Sequence, residues 1–459
     1  MPSPTPPARH VPEAGYARQL GLFSATMMVV GGIIGAGIFL NPAIVAQRVG
    51  TGPAIIATWG LGALIAIVGA FVFAELGARA PKAGGGYVYL RDAFGAFPAF
   101  LYGWALFLMI STGAIAAVAM TFANYAAATF GLTPAWTTPL AVGAIVLLTL
   151  VNVAGVRPGA ITQNVATMLK LGAIAFLVVA AFIAPDAGDT APTILASAAP
   201  AVPAGVTAWV LAVGAALVPV LFAFGGWQQT NFIAEELRDP QRDLPRALVL
   251  GVLIVVAAYL LVNIAYLRAL GVGGLATSTA PAADTVGVLL GERGRALIGA
   301  GIMVSTFGFL NLVILVTPRV YQAMAADGVF FARMARVHPR TRTPVAALTG
   351  QAVWAVVLLF SGSYGQLLDY VVFADWVFFG ATAATLFVYR ARERRGEVPH
   401  TTVRAVGHPV STTLFLAAAA YVIVGSVLSN PVNAAKGTAL LALGWPAFAW
   451  WRRGAAVGT

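Results

Sequence analysis

Two glycine clusters are the residues of this 459-residue chain with the plainest chemistry to offer. Gly31, Gly32, Gly35 and Gly37 fall within seven residues of one apolar run, together with Ile33, Ile34 and Ala36. Gly225 and Gly226 interrupt a second run after Phe222, Ala223 and Phe224, and Trp227, Gln228 and Gln229 follow directly. Each glycine weakens a helix interior by about 0.8–1 kcal/mol relative to alanine, so both runs are expected to break. Helix N-termini favour anions and freed carbonyls favour cations. This is chemistry of binding. Bond making is not visible, because no nucleophile–base pair or set of metal ligands shares a depth along the apolar runs. His10, His338, His400 and His408 all lie in polar gaps, no phosphate-binding loop of the ATPase type occurs, and no metal or cofactor is expected.

The elements that must position these breaks are membrane spans. The chain is 59% hydrophobic and 9% charged, with a mean hydropathy of +0.86, whereas soluble domains carry about 25% charged residues. Lipid must cover that apolar surface. A bilayer core needs about 20 apolar residues in a helix. Runs of that kind begin near Leu22, Ala54, Phe97, Trp136, Gln163, Thr207, Ala247, Ala296, Val345, Gln366 and Ser411, and a shorter twelfth runs from Lys436 to Trp451. Of the 27 Lys and Arg, 21 fall in one alternate set of gaps and tails and 5 in the other, with Lys170 alone inside a span. Positive charge marks the cytoplasmic side, so both termini are expected there, which requires an even number of spans. The net charge of +11 comes from these gaps; no basic stripe interleaved with aromatics suggests nucleic acid. The proline-rich residues 1–20 read as a disordered cytoplasmic tail, with no cleavable signal peptide. There is no cysteine.

The breaks fall in the first and sixth spans, so a repeat of five helices is expected. Five is odd, so the second copy enters from the opposite side. The halves, 21–185 and 206–390, are then inverted copies, with two further helices over 411–451. Paired interrupted helices in corresponding positions point to a transporter binding site, since non-helical backbone at membrane depth survives only beside protein or a water-filled cavity. Gly31 and Gly35 also form a G-x-x-x-G pair, a close-packing signal. Two clusters five helices apart, one followed by Gln-Gln, favour the site.

Four stretches carry a family likeness: Gly31 to Pro42, GGIIGAGIFLNP; Ala74 to Gly95, AELGARAPKAGGGYVYLRDAFG; Phe222 to Pro245, FAFGGWQQTNFIAEELRDPQRDLP; and Thr317 to Phe331, TPRVYQAMAADGVFF. In these the chain resembles the amino acid–polyamine–organocation superfamily, in its L-type amino-acid transporter branch. The resemblance runs from Gln19 to about Arg390. It implies an all-α polytopic fold of about twelve helices, a leucine-transporter-like five-plus-five inverted repeat with discontinuous helices 1 and 6, working by alternating access. It implies a substrate α-carboxylate on N–H groups around Gly35 to Gly37 and an α-ammonium on carbonyls of Ile33, Phe222 and Ala223. Phe222 matches a position whose ring closes over the substrate. Ala36 and Gln228 depart from serine and asparagine in relatives, so side-chain preference is not transferable. In animal members a cysteine outside spans three and four joins a glycoprotein heavy subunit. Here the gap is only Gly131 to Ala135 and no cysteine exists, so no disulfide-linked partner is expected.

Lys170 lies about 14 Å deep at 1.5 Å per residue, where a lysine costs at least about 2.5–3.5 kcal/mol, so it is expected to act in coupling. In the family this position adjoins the place where sodium-coupled members bind their ion. Asp375 is read either as a structural partner of a base or as part of coupling. Asn311, Ser305 and Thr306 are read as interhelical hydrogen-bonders, and Glu75, Glu235 and Glu236 as ion-pair formers. The break regions hold no acid or base, which favours small or neutral amino acids. Exchange and proton symport both stay open, as do a polyamine or cationic amino-acid permease and, further off, a membrane-embedded enzyme or a channel. The expected place is the plasma membrane, a bacterial inner membrane.

Overall fold

The computed structural model describes residues 15–183, 202–361, 364–429 and 431–457. The expectation of a disordered tail falls mostly on residues outside these, as does the segment joining the fifth and sixth spans. The described elements are helical, with one isolated bridge between Leu20 and Leu237.

The first span is two helices, α1 (Leu22–Ile33) and α2 (Gly37–Val49), bent by 42° at the break. Then come α3 (Gly52–Arg79), a short α4 (Gly86–Phe94), and a third span made of α5 (Ala96–Ala105), a π turn (Leu106–Ile110) and α6 (Ser111–Phe130). α7 (Thr137–Val153) and α8 (Val156–Ile183) complete the first half. α9 (Val206–Ala223) stops at the second glycine cluster and gives way to a 3₁₀-helix, Trp227–Glu236. The second half continues through α10 (Pro240–Thr277), α11 (Pro281–Val316), α12 (Pro318–Ala326), α13 (Val345–Ser361) and α14 (Tyr364–Arg394). α15 (Val410–Ser429), α16 (Pro431–Ala442) and α17 (Gly444–Val457) follow.

Among the described residues eight helices are long and apolar enough to cross a membrane, or nine with the bent α1–α2 pair. The twelfth span, read as one helix from Lys436 to Trp451, is instead two helices of 12 and 14 residues. Pro446 has no N–H to offer Ala442, and Gly444 lies so close to the third span that a Cβ would sit 2.6 Å from Leu101 Cδ2.

Freed backbone groups in the bundle are met by specific side chains, as hydrocarbon requires. Pro42 inside α2 leaves the Ile38 carbonyl without its helical donor, and Tyr266 Oη lies 3.4 Å away. Pro219 inside α9 does the same to Ala215, whose carbonyl accepts from Arg48. The π turn frees carbonyls of Phe107 and Leu108, which accept from Thr112 (2.7 Å) and Trp354 (3.1 Å).

Helix pairings in the first half recur in the second. α1 packs on α10 and α9 on α3; the third span packs on α7 and α11 on α13; α7 packs on α11 and α13 on α6; α8 packs on α10 and α14 on α3. In each of these four pairs the second packing is the first displaced by five spans.

Candidate functional site at the crossing of two helix breaks

The two breaks touch. Gly226 has φ of 105°, a conformation side chains rarely adopt, and a Cβ there would lie 2.1 Å from the Gly32 carbonyl oxygen. A Cβ on Gly32 would in turn lie 2.9 Å from the Gly226 oxygen. Close packing and site formation divide the first cluster between them. Gly31 is a packing glycine, with α8 so near that a Cβ would meet Gln163 Nε2 at 2.1 Å and Thr167 Oγ1 at 2.6 Å. Gly35, its G-x-x-x-G partner, faces open space with Phe309 at 3.9 Å.

That open space is a cavity of about 360 Å³. Of the residues singled out in the breaks, Ile33, Gly35, Ala36, Gly37, Phe222, Ala223, Gly225 and Gly226 line it. Phe222 is 45% exposed at the edge of this cavity. Ile34, Phe224 and Trp227 turn away from the cavity. Ile34 is buried and offers its carbonyl to Lys170. Phe224 packs between Trp59 and Tyr259, with ring centroids 5.8 and 5.1 Å away. Trp227 stands edge-on to Phe73 at 4.8 Å.

Main-chain chemistry in the cavity follows from helix ends. α2 begins without a side-chain cap at Ala36, so its leading N–H groups have no intrahelical acceptor, until Phe39 N donates to Ala36 O at 3.1 Å. Gly35 is different: its N–H donates to Ile33 O at 2.8 Å. The available donors therefore begin at Ala36 and Gly37. On the carbonyl side, Tyr259 Oη lies 3.0 Å from Ile33 O and 3.2 Å from Ala223 O. A buried hydroxyl from α10 thus ties the two breaks together. The Ile33 oxygen is engaged by both Gly35 and Tyr259, whereas Phe222 O takes one hydrogen bond from Gly225 N at 3.1 Å. A carbonyl has two lone pairs, which leaves Phe222 and Ala223 the better acceptors for a cation.

Lys170 stands behind the first break. Its side chain is 1% exposed, and Nζ donates to Gly31 O at 3.1 Å and to Ile34 O. The surrounding α8–α11 seam is polar and joined by side-chain hydrogen bonds, although Ser305 Oγ, expected to bond between helices, takes no partner among the described residues. Asn311 Nδ2 donates to Gly159 O (3.0 Å) and Gln163 Oε1 (3.1 Å), and Asn152 Nδ2 to Asn311 Oδ1 (3.1 Å). Asn311 is therefore an interhelical hydrogen-bonder. Thr306 bonds within its own helix and also lines the cavity.

Two features were not legible. Tyr259 looked like any aromatic in an apolar span, since nothing in the sequence shows what a hydroxyl will meet. Asp375 was ambiguous, and the structure places it in the cavity lining beside Trp376 and Phe379. The expectation of neutral substrates rested on the breaks alone, and the complete lining does contain an acid.

At the Arg-rich face the bundle is closed by ion pairs. Glu75 accepts from Arg79, from Arg390 at 2.6 Å and from Ala405 N at 2.6 Å. Arg79 also reaches Glu393 at 2.7 Å. Glu236 and Arg319, both fully buried, pair at 2.7 Å. His408, in the turn before α15, is held below its ordinary pKa by burial and by nearby Arg390.

Broken helices that present main chain to a solute cavity are how membrane transporters hold their cargo, and the fold and cavity place the chain in that class. It belongs to the amino acid permease family, whose model matches residues 20–445. It is similar to the b(0,+)-type amino acid transporter 1 of Homo sapiens, 30% identical over 423 residues, 90% of this chain and 83% of that protein. The serine/threonine exchanger SteT of Bacillus subtilis is 31% identical over 388 residues, 84% of this chain and 86% of that one. The large neutral amino acids transporter small subunit 2 of Homo sapiens is 31% identical over 453 residues, 95% and 82%. The chain is an amino-acid transporter and not an enzyme.

Proposed function

We propose that this chain exchanges amino acids across a bacterial inner membrane by alternating access, with Lys170 as a fixed internal cation. The carrying observation is the buried Lys170 ammonium held by the Gly31 and Ile34 carbonyls. A cation placed there stabilises carbonyls that the break has freed, with no external ion needed. The similarity to a serine/threonine exchanger supports exchange over proton symport. Substrate α-carboxylate rests on the N–H groups of Ala36 and Gly37, and α-ammonium on the Phe222 and Ala223 carbonyls. The recurring helix pairings support two inverted five-helix halves over 21–185 and 206–390. The two faces of the membrane open in turn as these halves rock about the crossing of Gly32 and Gly226.

The charge asymmetry supports cytoplasmic termini. The absence of cysteine and the short connection between α6 and α7 support a transporter that works without a disulfide-linked heavy subunit.

Binding tests the site directly. L-alanine should stabilise the purified protein against heat, and its methyl ester and its N-acetyl derivative should each bind at least about ten-fold more weakly, since each removes one charge that the main chain reads. Equal binding of the ester would contradict carboxylate recognition at Ala36 and Gly37.

A further inference from the structure

Among the described residues the three buried acids all have cations beside them, whereas the half-buried Asp375 does not. Glu75 has Arg79 and Arg390, Glu236 has Arg319, and Glu393 has Arg79 and Arg404. Asp375 lines the cavity with no ion pair or hydrogen bond among the described residues. It is the one ionisable side chain in the described lining, since Lys170 stands behind the break with its ammonium on Gly31 and Ile34. Gln229 Oε1 in the same lining is a buried acceptor that takes no hydrogen bond among the described residues.

Resting on the transporter reading above, we propose that Asp375 reads the substrate side chain, and that the cavity prefers amino acids whose side chain ends in a cationic group, a primary ammonium or a guanidinium. The argument is one of charge. The main-chain groups of the breaks satisfy the α-carboxylate and α-ammonium of any amino acid, which together carry no net charge. A neutral amino acid therefore leaves the half-buried Asp375 carboxylate without a counter-charge when it fills the cavity, and a charge withdrawn from water without a partner is expensive. A basic amino acid brings one further positive charge and cancels it. Trp376 and Phe379, on the same helix, supply apolar surface for the methylene stem that separates the α-carbon from the distal cation, in the way long basic side chains lie along apolar faces.

L-lysine and L-norleucine have the same aliphatic chain and differ in the terminal ammonium, so their ratio of affinities isolates this contact. With the purified full-length protein, lysine is expected to bind about ten-fold or more tightly than norleucine, as a charge-assisted contact supplies. Asp375→Asn should bring the ratio to about one or below, and Asp375→Glu should keep lysine ahead. Wild-type protein that binds norleucine as well as lysine would overturn the assignment, as would an Asp375→Asn variant that keeps the lysine preference. Preference for norleucine in the wild type would show a carboxyl held as its neutral acid, and would overturn it too. Protein that binds neither of these nor L-alanine, L-serine or L-leucine would overturn the transporter site itself, a different failure.

Discussion

The Lys170 ammonium lies 3.1 Å from the Gly31 carbonyl oxygen, one residue before the pair of breaks meets at Gly32 and Gly226. A positive charge is thereby built into the hinge between α1 and α2. It reaches carbonyls of both the last turn of α1 and the break itself, so a change in the bend changes its hydrogen bonds. A group can shift an equilibrium only by interacting differently with its two states, and this geometry supplies such a difference. Lys170→Met, which keeps most of the unbranched stem and removes the charge, is expected to slow exchange by at least about ten-fold, a coupling of about 1.4 kcal/mol. Substrate binding, read by thermal stabilisation, should fall less. Exchange at the wild-type rate would show that the ammonium is only a packing element.

Tyr259→Phe removes the hydroxyl that bridges Ile33 and Ala223. A buried acceptor left without its donor costs about 1–3 kcal/mol; the hydroxyl carries one proton and Ile33 O keeps the Gly35 N–H, so the loss falls on Ala223 O. The variant is expected to melt at a lower temperature in detergent and to show a raised KM for exchange. An unchanged melting curve and KM would remove Tyr259 from the site.

Two glycines four residues apart are expected to fail in different ways. Gly31→Ala places a Cβ into Gln163 and Thr167, and overpacking of this kind costs about 1–3 kcal/mol, so the protein should be less stable. Gly35→Leu meets open cavity, so the protein should accumulate and melt like the wild type while losing amino-acid binding. Normal binding by Gly35→Leu would contradict the placement of the substrate, and normal stability of Gly31→Ala would contradict the packing role.

Glu236→Gln leaves the Arg319 guanidinium buried without its counter-charge. Breaking a buried pair from one side costs about 3–5 kcal/mol, a large part of the stability of a typical domain. The variant is expected to accumulate poorly, as read by size-exclusion of a fluorescent fusion, and Glu235→Gln, which has no ion pair among the described residues, much less so. Equal accumulation of both would contradict the reading of Glu236–Arg319 as a structural lock.

The sequence showed the breaks and Lys170 for one physical reason: lipid makes glycine clusters and a central lysine expensive, so they stand out by residue type alone. What it concealed depends on which way a helix faces. The pattern in α14 is apolar on every side, so only packing decides that Asp375 looks into the cavity and Phe378 into the core. Gly31 and Gly35 are alike as letters and opposite in role, because α8 approaches one and not the other. The division of the last span at Leu443 had a local signal in Gly444 and Pro446, but an apolar run read for length alone passes over it.

Counterflow in proteoliposomes tests the central claim most directly. Vesicles containing the purified protein are loaded with unlabelled L-alanine, L-serine, L-leucine or L-lysine, and entry of the same amino acid in labelled form is followed from outside. The expected result is rapid uptake into loaded vesicles, little into empty ones, and no dependence on a sodium or proton gradient. Concentrative uptake into empty vesicles driven by either gradient would contradict an exchanger that carries its own cation at Lys170.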